Sequence, residues 1–258
     1  MDLVRRQWLA GICSVGAGVV LLSCESGTNP EEAASEKAGK ESAGKEVTAT
    51  EDLMREHGVL RRALLVYQES AVKLRANAAA VAPEALQKTA KLFRAFGEEY
   101  HEKKLEEAFI FPVVKNSNGL AAAYVGVLTA QHERGREVTD YILAVTAAAK
   151  LASANVEPLA RAMETLGRMY QHHAAIEDTI VFPAWKQTMT KDQMDETGDK
   201  FEAIEQHEFG KDGYEDAVKQ IGDIETSLGL ADLGQFTAPP PLATKAPQDK
   251  TDSEKKNP

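Results

Sequence analysis

HEKKLEEAFIFP at residues 101–112 and HHAAIEDTIVFP at residues 172–183 are the passages from which the fold is read. Each runs from histidine through two adjacent acidic residues to Phe-Pro. The spacing from Glu106 to Pro112 equals that from Glu177 to Pro183. A histidine four or five residues before a carboxylate puts both on one helix face about one turn apart. The two passages are therefore an internal repeat of helix ends, each carrying an imidazole and a carboxylate on a shared face.

Working outward, four long helical patterns appear. The first starts near Thr48, where Thr48 and Glu51 have capping-box spacing. Its apolar stripe runs through Leu53, His57, Leu60, Leu64, Tyr67 and Ala71 in steps of three and four. The second starts near Pro83, a good first-turn residue, and runs to about Val114, where Asn116-Ser117-Asn118-Gly119 supplies turn chemistry. The third spans about Leu120 to Leu151, and the fourth about Pro158 to Met189. Two shorter helices are expected near 191–208 and 214–228. Short links favour antiparallel neighbours, so the expected fold is all-α: an up-down-up-down four-helix bundle with one or two added C-terminal helices.

Composition agrees. Alanine, leucine, glutamate and lysine are abundant, aromatic content is 6%, and β-branched residues never alternate over long runs. A net charge of −10 over 258 residues argues against nucleic acid as a partner.

The chain's six histidines are distributed so that each bundle helix carries at least one near its middle: His57, His101, His132, and the pair His172 and His173. Mid-helix side chains of an antiparallel bundle meet at one level, where such folds build metal sites. His173 lies on the line Leu166, Tyr170, His173, Glu177, Ile180, whereas His172 lines up with Arg161, Thr165 and Arg168, so His173 is the preferred ligand. Imidazole with carboxylate suits iron, although zinc or manganese can bind the same groups. Two bridging carboxylates offset the repulsion between two cations, which favours a pair of metals.

The two ends read differently. Arg5 and Arg6 precede an apolar stretch from Trp8 to Leu22 that ends in Leu21-Leu22-Ser23-Cys24. Residues 1–23 are expected to be a signal peptide, with Cys24 lipidated and the protein exported to a bacterial cell envelope. With Cys13 lost and Cys24 modified, no thiolate remains as a metal ligand. Residues 24–49 read as a flexible tether, 50–230 as the bundle, and 231–258, with Pro239-Pro240-Pro241, as a disordered tail.

The order His57, His101 with Glu106, His132, His173 with Glu177, closed by two Phe-Pro pairs, resembles the hemerythrin-like, or HHE cation-binding, domain over roughly residues 50–190. The resemblance implies two non-haem irons, ligated by His57, His101, His132 and His173 and bridged by Glu106 and Glu177. It also implies binding or sensing of dioxygen or a related small oxidant. Iron buffering and oxidoreduction of peroxide or nitric oxide are the alternatives.

This chain departs from the family pattern in three ways. Oxygen carriers have a second histidine four residues after the one in the third helix, where Arg136 stands here. Glu106 falls five residues after His101, which requires a π-bulge or a different ligand such as Glu102. His207, flanked by Glu205 and Glu208, lies beyond the usual bundle and either packs on it or caps the site. Asp178 is a further candidate beside Glu177. Gly135, one turn after His132, leaves space either for a small ligand or for a close helix contact.

Overall fold

The computed structural model describes residues 47–241. The expected signal peptide, Cys24 and most of the expected tether and tail lie outside the described residues. Within them there are six helices and no strand. We label them α1 (Ala49–Ala76), α2 (α-helical Pro83–Leu92, π-helical Phe93–Ile110, α-helical Phe111–Lys115) and α3 (Ala122–Thr146). They continue with α4 (α-helical Ser153–Ile176, π-helical Glu177–Val181, α-helical Phe182–Lys186), α5 (Lys191–Phe209) and α6 (Gly213–Ser227). No described helix is long and apolar enough to cross a membrane.

The helix starts follow their local chemistry. Thr48 Oγ1 accepts from the Glu51 backbone N–H, and the Glu51 carboxylate accepts from the Thr48 N–H at 2.9 Å, closing a capping box. Thr190 and Gln193 do the same at the start of α5. Gly210, at φ 66°, ends α5 in the left-handed region that only glycine enters cheaply.

Two boundaries differ from expectation. α3 stops at Thr146 rather than near Leu151, because residues 147–150 are exposed and have no apolar face to hold a further turn. α4 begins at Ser153, so Pro158 lies inside it. The carbonyl that loses its donor there belongs to Ala154, an exposed residue that water can satisfy.

Cross-helix pairs fix the directions. Arg75, at the end of α1, pairs with Glu157 and Glu164 near the start of α4, while His57 near the start of α1 meets Asp178 near the end of α4. Arg94 early in α2 reaches Asp140 late in α3. Both pairs of helices are thus antiparallel, as the short links require. The stripe predicted on α1 is buried throughout and packs with Phe93, Phe96, Tyr100, Leu128, Met163 and Leu166 in one core. Helix α5 lies over the α2 and α4 ends through Phe201, which stacks on Trp185 and meets Phe109 edge-on. Helix α6 is tied to α1 by the two-pronged Arg62–Glu225 ion pair.

Candidate metal centre

Four imidazoles point their Nε2 atoms at two carboxylates in the middle of the bundle. His57, His101, His132 and His173 are 3% exposed or less, and Glu106 and Glu177 are fully buried. Glu177 Oε2 is 3.5 Å from His57 Nε2, and its Oε1 is 3.0 Å from His173 Nε2. Glu106 Oε1 is 3.4 Å from His101 Nε2, and its Oε2 is 3.3 Å from His132 Nε2. Each carboxylate therefore straddles two positions, one between His57 and His101 and one between His132 and His173. Ligand-type atoms of Glu106, His132, His173 and Glu177 lie within 4.8 Å of one another, as do those of His57, His101 and Glu106.

The backbone sets this register. In α4, His173 and Glu177 are one ordinary turn apart, and the π-turns begin at Glu177. In α2 the π-helical stretch spans His101 and Glu106, so five residues make the turn that four make elsewhere. Glu106 thereby faces the same interior as His101, and Glu102 is carried sideways. The Phe111 and Phe182 N–H groups still reach back five residues to the Glu106 and Glu177 carbonyls, and each following proline sits in the first turn of restored α-helix.

Every imidazole is oriented through its other nitrogen. His57 Nδ1–H donates to Asp178 at 2.7 Å, His101 Nδ1–H to Glu56 at 2.6 Å, and His132 Nδ1–H to Glu107 at 2.9 Å. His173 Nδ1–H donates to the Gln131 carbonyl at 2.9 Å. Such partners fix the tautomer and leave Nε2 as the free donor of electrons. The partners are held in turn: Tyr100 donates to Glu56, Arg61 pairs with Asp178, and Arg136 pairs with Glu107.

The interior is left unsatisfied. His101 Nε2 and all four oxygens of Glu106 and Glu177 are buried without a hydrogen-bond partner. Buried anionic oxygens in this state are costly, and a cation between them removes the cost. The electrostatics of the site carry the same tension. Burial and the adjacent Glu106 hold the Glu177 carboxyl well above the usual range. Burial would also raise Glu106, but His101 and His132 outweigh it and pull its carboxyl well down. Burial and His132 press His173 down to about 3. Burial opposes protonation of His132 too, but Glu102, Glu106 and Glu107 lift it to about 10. Among the described residues this chemistry, dry oxygens facing four imidazole nitrogens, fits bound metal cations.

The side chains of the centre enclose a cavity of about 10 Å³, roughly the room of one water molecule. Tyr170, Glu102, Leu60, Leu64 and Ala174 wall it with the ligand side chains. Tyr170 Oη donates to Glu102 at 2.7 Å, and its ring meets His173 edge-on. Gly135 opens no ligand space: a Cβ there would collide with the Tyr170 hydroxyl, so the glycine exists to admit Tyr170.

The remaining candidates fall outside the centre. His172 and His207 are exposed, and neither joins a ligand-type group. His207 belongs to the outer face of α5, because Glu205 is the residue that α5 turns inward, where it accepts from the Tyr214 N–H. Glu102 is buried but serves Tyr170 and Arg136, although it also forms a looser group with Glu107 and His132. Asp178 holds His57 from behind. Glu56 and Gln131 were not among the sequence candidates; each is a single polar residue without a repeat, and only its distant partner reveals its role.

The family profile described as hemerythrin HHE cation-binding domain matches residues 48–185. Uncharacterised proteins of Mycobacterium bovis and Mycobacterium tuberculosis are 41% identical over 235 residues, covering 91% of this chain and 91% of each of theirs. No solved structure matches.

Proposed function

Because the chain belongs to the hemerythrin HHE cation-binding family, we propose that it holds two non-haem iron ions and presents them to dioxygen or a related small oxidant. One observation carries this reading: the two oxygens of each buried carboxylate face different histidine pairs. Carboxylates so placed would each hold two cations, and Glu106 and Glu177 would do so together. When bound, a pair of irons supplies reversible electron transfer to a small ligand. The chain's own residues do the rest. His57, His101, His132 and His173 would hold the ions, while Leu60, Leu64 and Ala174 exclude bulk water from the cavity.

A second reading, oxidoreduction of peroxide, is favoured by Tyr170 and Glu102. A phenol hydrogen-bonded to a buried carboxylate in the cavity wall is a pair that could hold or move a proton, which reversible carriage does not require. Arg136 supports the same reading, since it turns to Glu107 and Glu102 and so replaces an imidazole ligand with an ion pair.

Metal analysis of natively purified protein, with visible spectra before and after dithionite and then air, tests the proposal. Two irons per chain and a spectrum that bleaches on reduction and returns in air are expected. Fewer than one ion per chain after anaerobic iron reconstitution would refute it. Steady consumption of added peroxide by the loaded protein would select the second reading. We also propose that Cys24 carries lipid in a bacterial envelope. Incorporation of a labelled fatty acid, abolished by Cys24→Ala, is the expected result.

A further inference from the structure

The two ion positions have matched inner ligands. Each is faced by two imidazole Nε2 atoms and by one oxygen from each of Glu106 and Glu177. Any difference between them must come from the groups behind the imidazoles. Three of the four Nδ1–H groups donate to carboxylates: Asp178, Glu56 and Glu107. The fourth, on His173, donates to the neutral amide of Gln131.

An anionic hydrogen-bond acceptor draws the Nδ1 proton away and makes Nε2 a stronger electron donor; a neutral amide does this far less. The side with His57 and His101 has an anion behind both rings, Asp178 sharing its charge with Arg61. Glu56, at 1% exposure, takes only the Tyr100 hydroxyl and His101, so its charge is turned fully on that imidazole. The side with His132 and His173 has one anion, Glu107. That carboxylate is 27% exposed and accepts both Nη groups of Arg136, which spend part of its charge. Glu102 acts on His132 through its charge and makes no hydrogen bond to the ring. It stands 4.0 Å from His132 Nδ1, beyond hydrogen-bond range, and is engaged by Tyr170 and Arg136.

We propose that the two positions bind metal unequally, the His57/His101 position tightly and the His132/His173 position weakly, with Gln131 as the positioning residue that sets the difference. The proposal rests on the two-ion reading above and deepens it: one ion is resident and the other exchanges.

Competition titration of the full-length chain with Co(II), against a chromogenic chelator under anaerobic conditions, tests it. Two binding steps are expected, the second at least about tenfold weaker. His57→Ala should remove the tight step and His173→Ala the weak one. Gln131→Glu should strengthen the weak step by about tenfold or more and leave the tight one in place. Glu107→Gln, which keeps the shape, should weaken the weak step further. Two equal steps that Gln131→Glu does not alter would overturn the inference and leave the two-ion centre standing. Absence of any Co(II) or iron binding in the wild-type chain would overturn the centre itself, and the inference with it.

Discussion

The Nε2 atoms of His132 and His173, from α3 and α4, stand 3.0 Å apart with Glu106 and Glu177 on either side. Two nitrogen lone pairs cannot approach so closely unless a proton or a cation lies between them. Neighbouring carboxylates favour a proton on His132, while burial and the adjacent His132 disfavour one on His173.

The bridging role proposed for Glu106 predicts a stoichiometry pattern. Its two oxygens face His101 and His132 separately, so Glu106→Ala should reduce bound metal from the proposed two ions to below about one. His172→Ala and His207→Ala, at exposed positions, should keep the wild-type ratio. Elemental analysis against protein concentration reads all three, and a normal ratio in Glu106→Ala would remove the bridge from the argument.

Metal affinity should rise with pH. In the metal-free chain burial holds Glu177 well above the usual range. Burial opposes protonation of His101, but the Glu106 and Glu56 carboxylates outweigh it and keep the ring protonated. Both groups must lose protons for an ion to bind. Each proton displaced makes affinity about tenfold stronger per pH unit while the group remains protonated in the empty site. Calorimetry in buffers of differing ionisation enthalpy should register at least one proton released; proton uptake would contradict the assignment.

Gly135→Ala should destabilise the protein by roughly 1–3 kcal/mol, the usual cost of overpacking. The new methyl meets Tyr170 Oη, and the ring atoms behind it at 2.8–2.9 Å. Tyr170→Phe removes the oxygen but not the ring, so the double variant should recover only part of the loss. A double-mutant cycle from chemical denaturation measures the coupling, and full additivity would show that the two residues do not meet.

Glu98 predicts a pH dependence of stability. It is fully buried, accepts from Thr139 Oγ1 at 2.5 Å and faces Arg94; burial raises its carboxyl to about 7. The neighbouring Glu102 pushes the same way, while Thr139, Arg94 and Arg136 oppose it. The folded state then holds a proton that the unfolded state has released, so this contribution is full below about 4.5 and is lost as pH rises through about 7. A rise from 4.5 to about 7 corresponds to on the order of 3 kcal/mol. The difference in stability between wild type and Glu98→Gln should therefore drift in favour of the variant from about pH 5 to about pH 8; a flat difference would refute it.

Much of the fold was legible because it rests on short-range periodicity. The α1 stripe, the Thr48–Glu51 box, the helix-ending turn chemistry and the His-acid-Phe-Pro repeat are all relations within a few residues. The family resemblance added the identity of the bridge candidates, and the five-residue step to Glu106 left open a π-turn or a different ligand such as Glu102, of which α2 contains the π-turn. The end of α3 and the start of α4 were misread, because exposed alanines and an internal proline are decided by what packs beside them.

The sequence by itself determined that imidazoles and carboxylates would line the inside of a helical bundle, since a 3.6-residue period assigns each side chain to a face. Only the tertiary structure decided which nitrogen of each ring turns inward, that Glu56 lies behind His101 and Gln131 behind His173, and that Tyr170 fills the gap at Gly135. Those pairings join residues dozens of positions apart. They depend on helix rotation, rotamer and close packing, which no local pattern encodes.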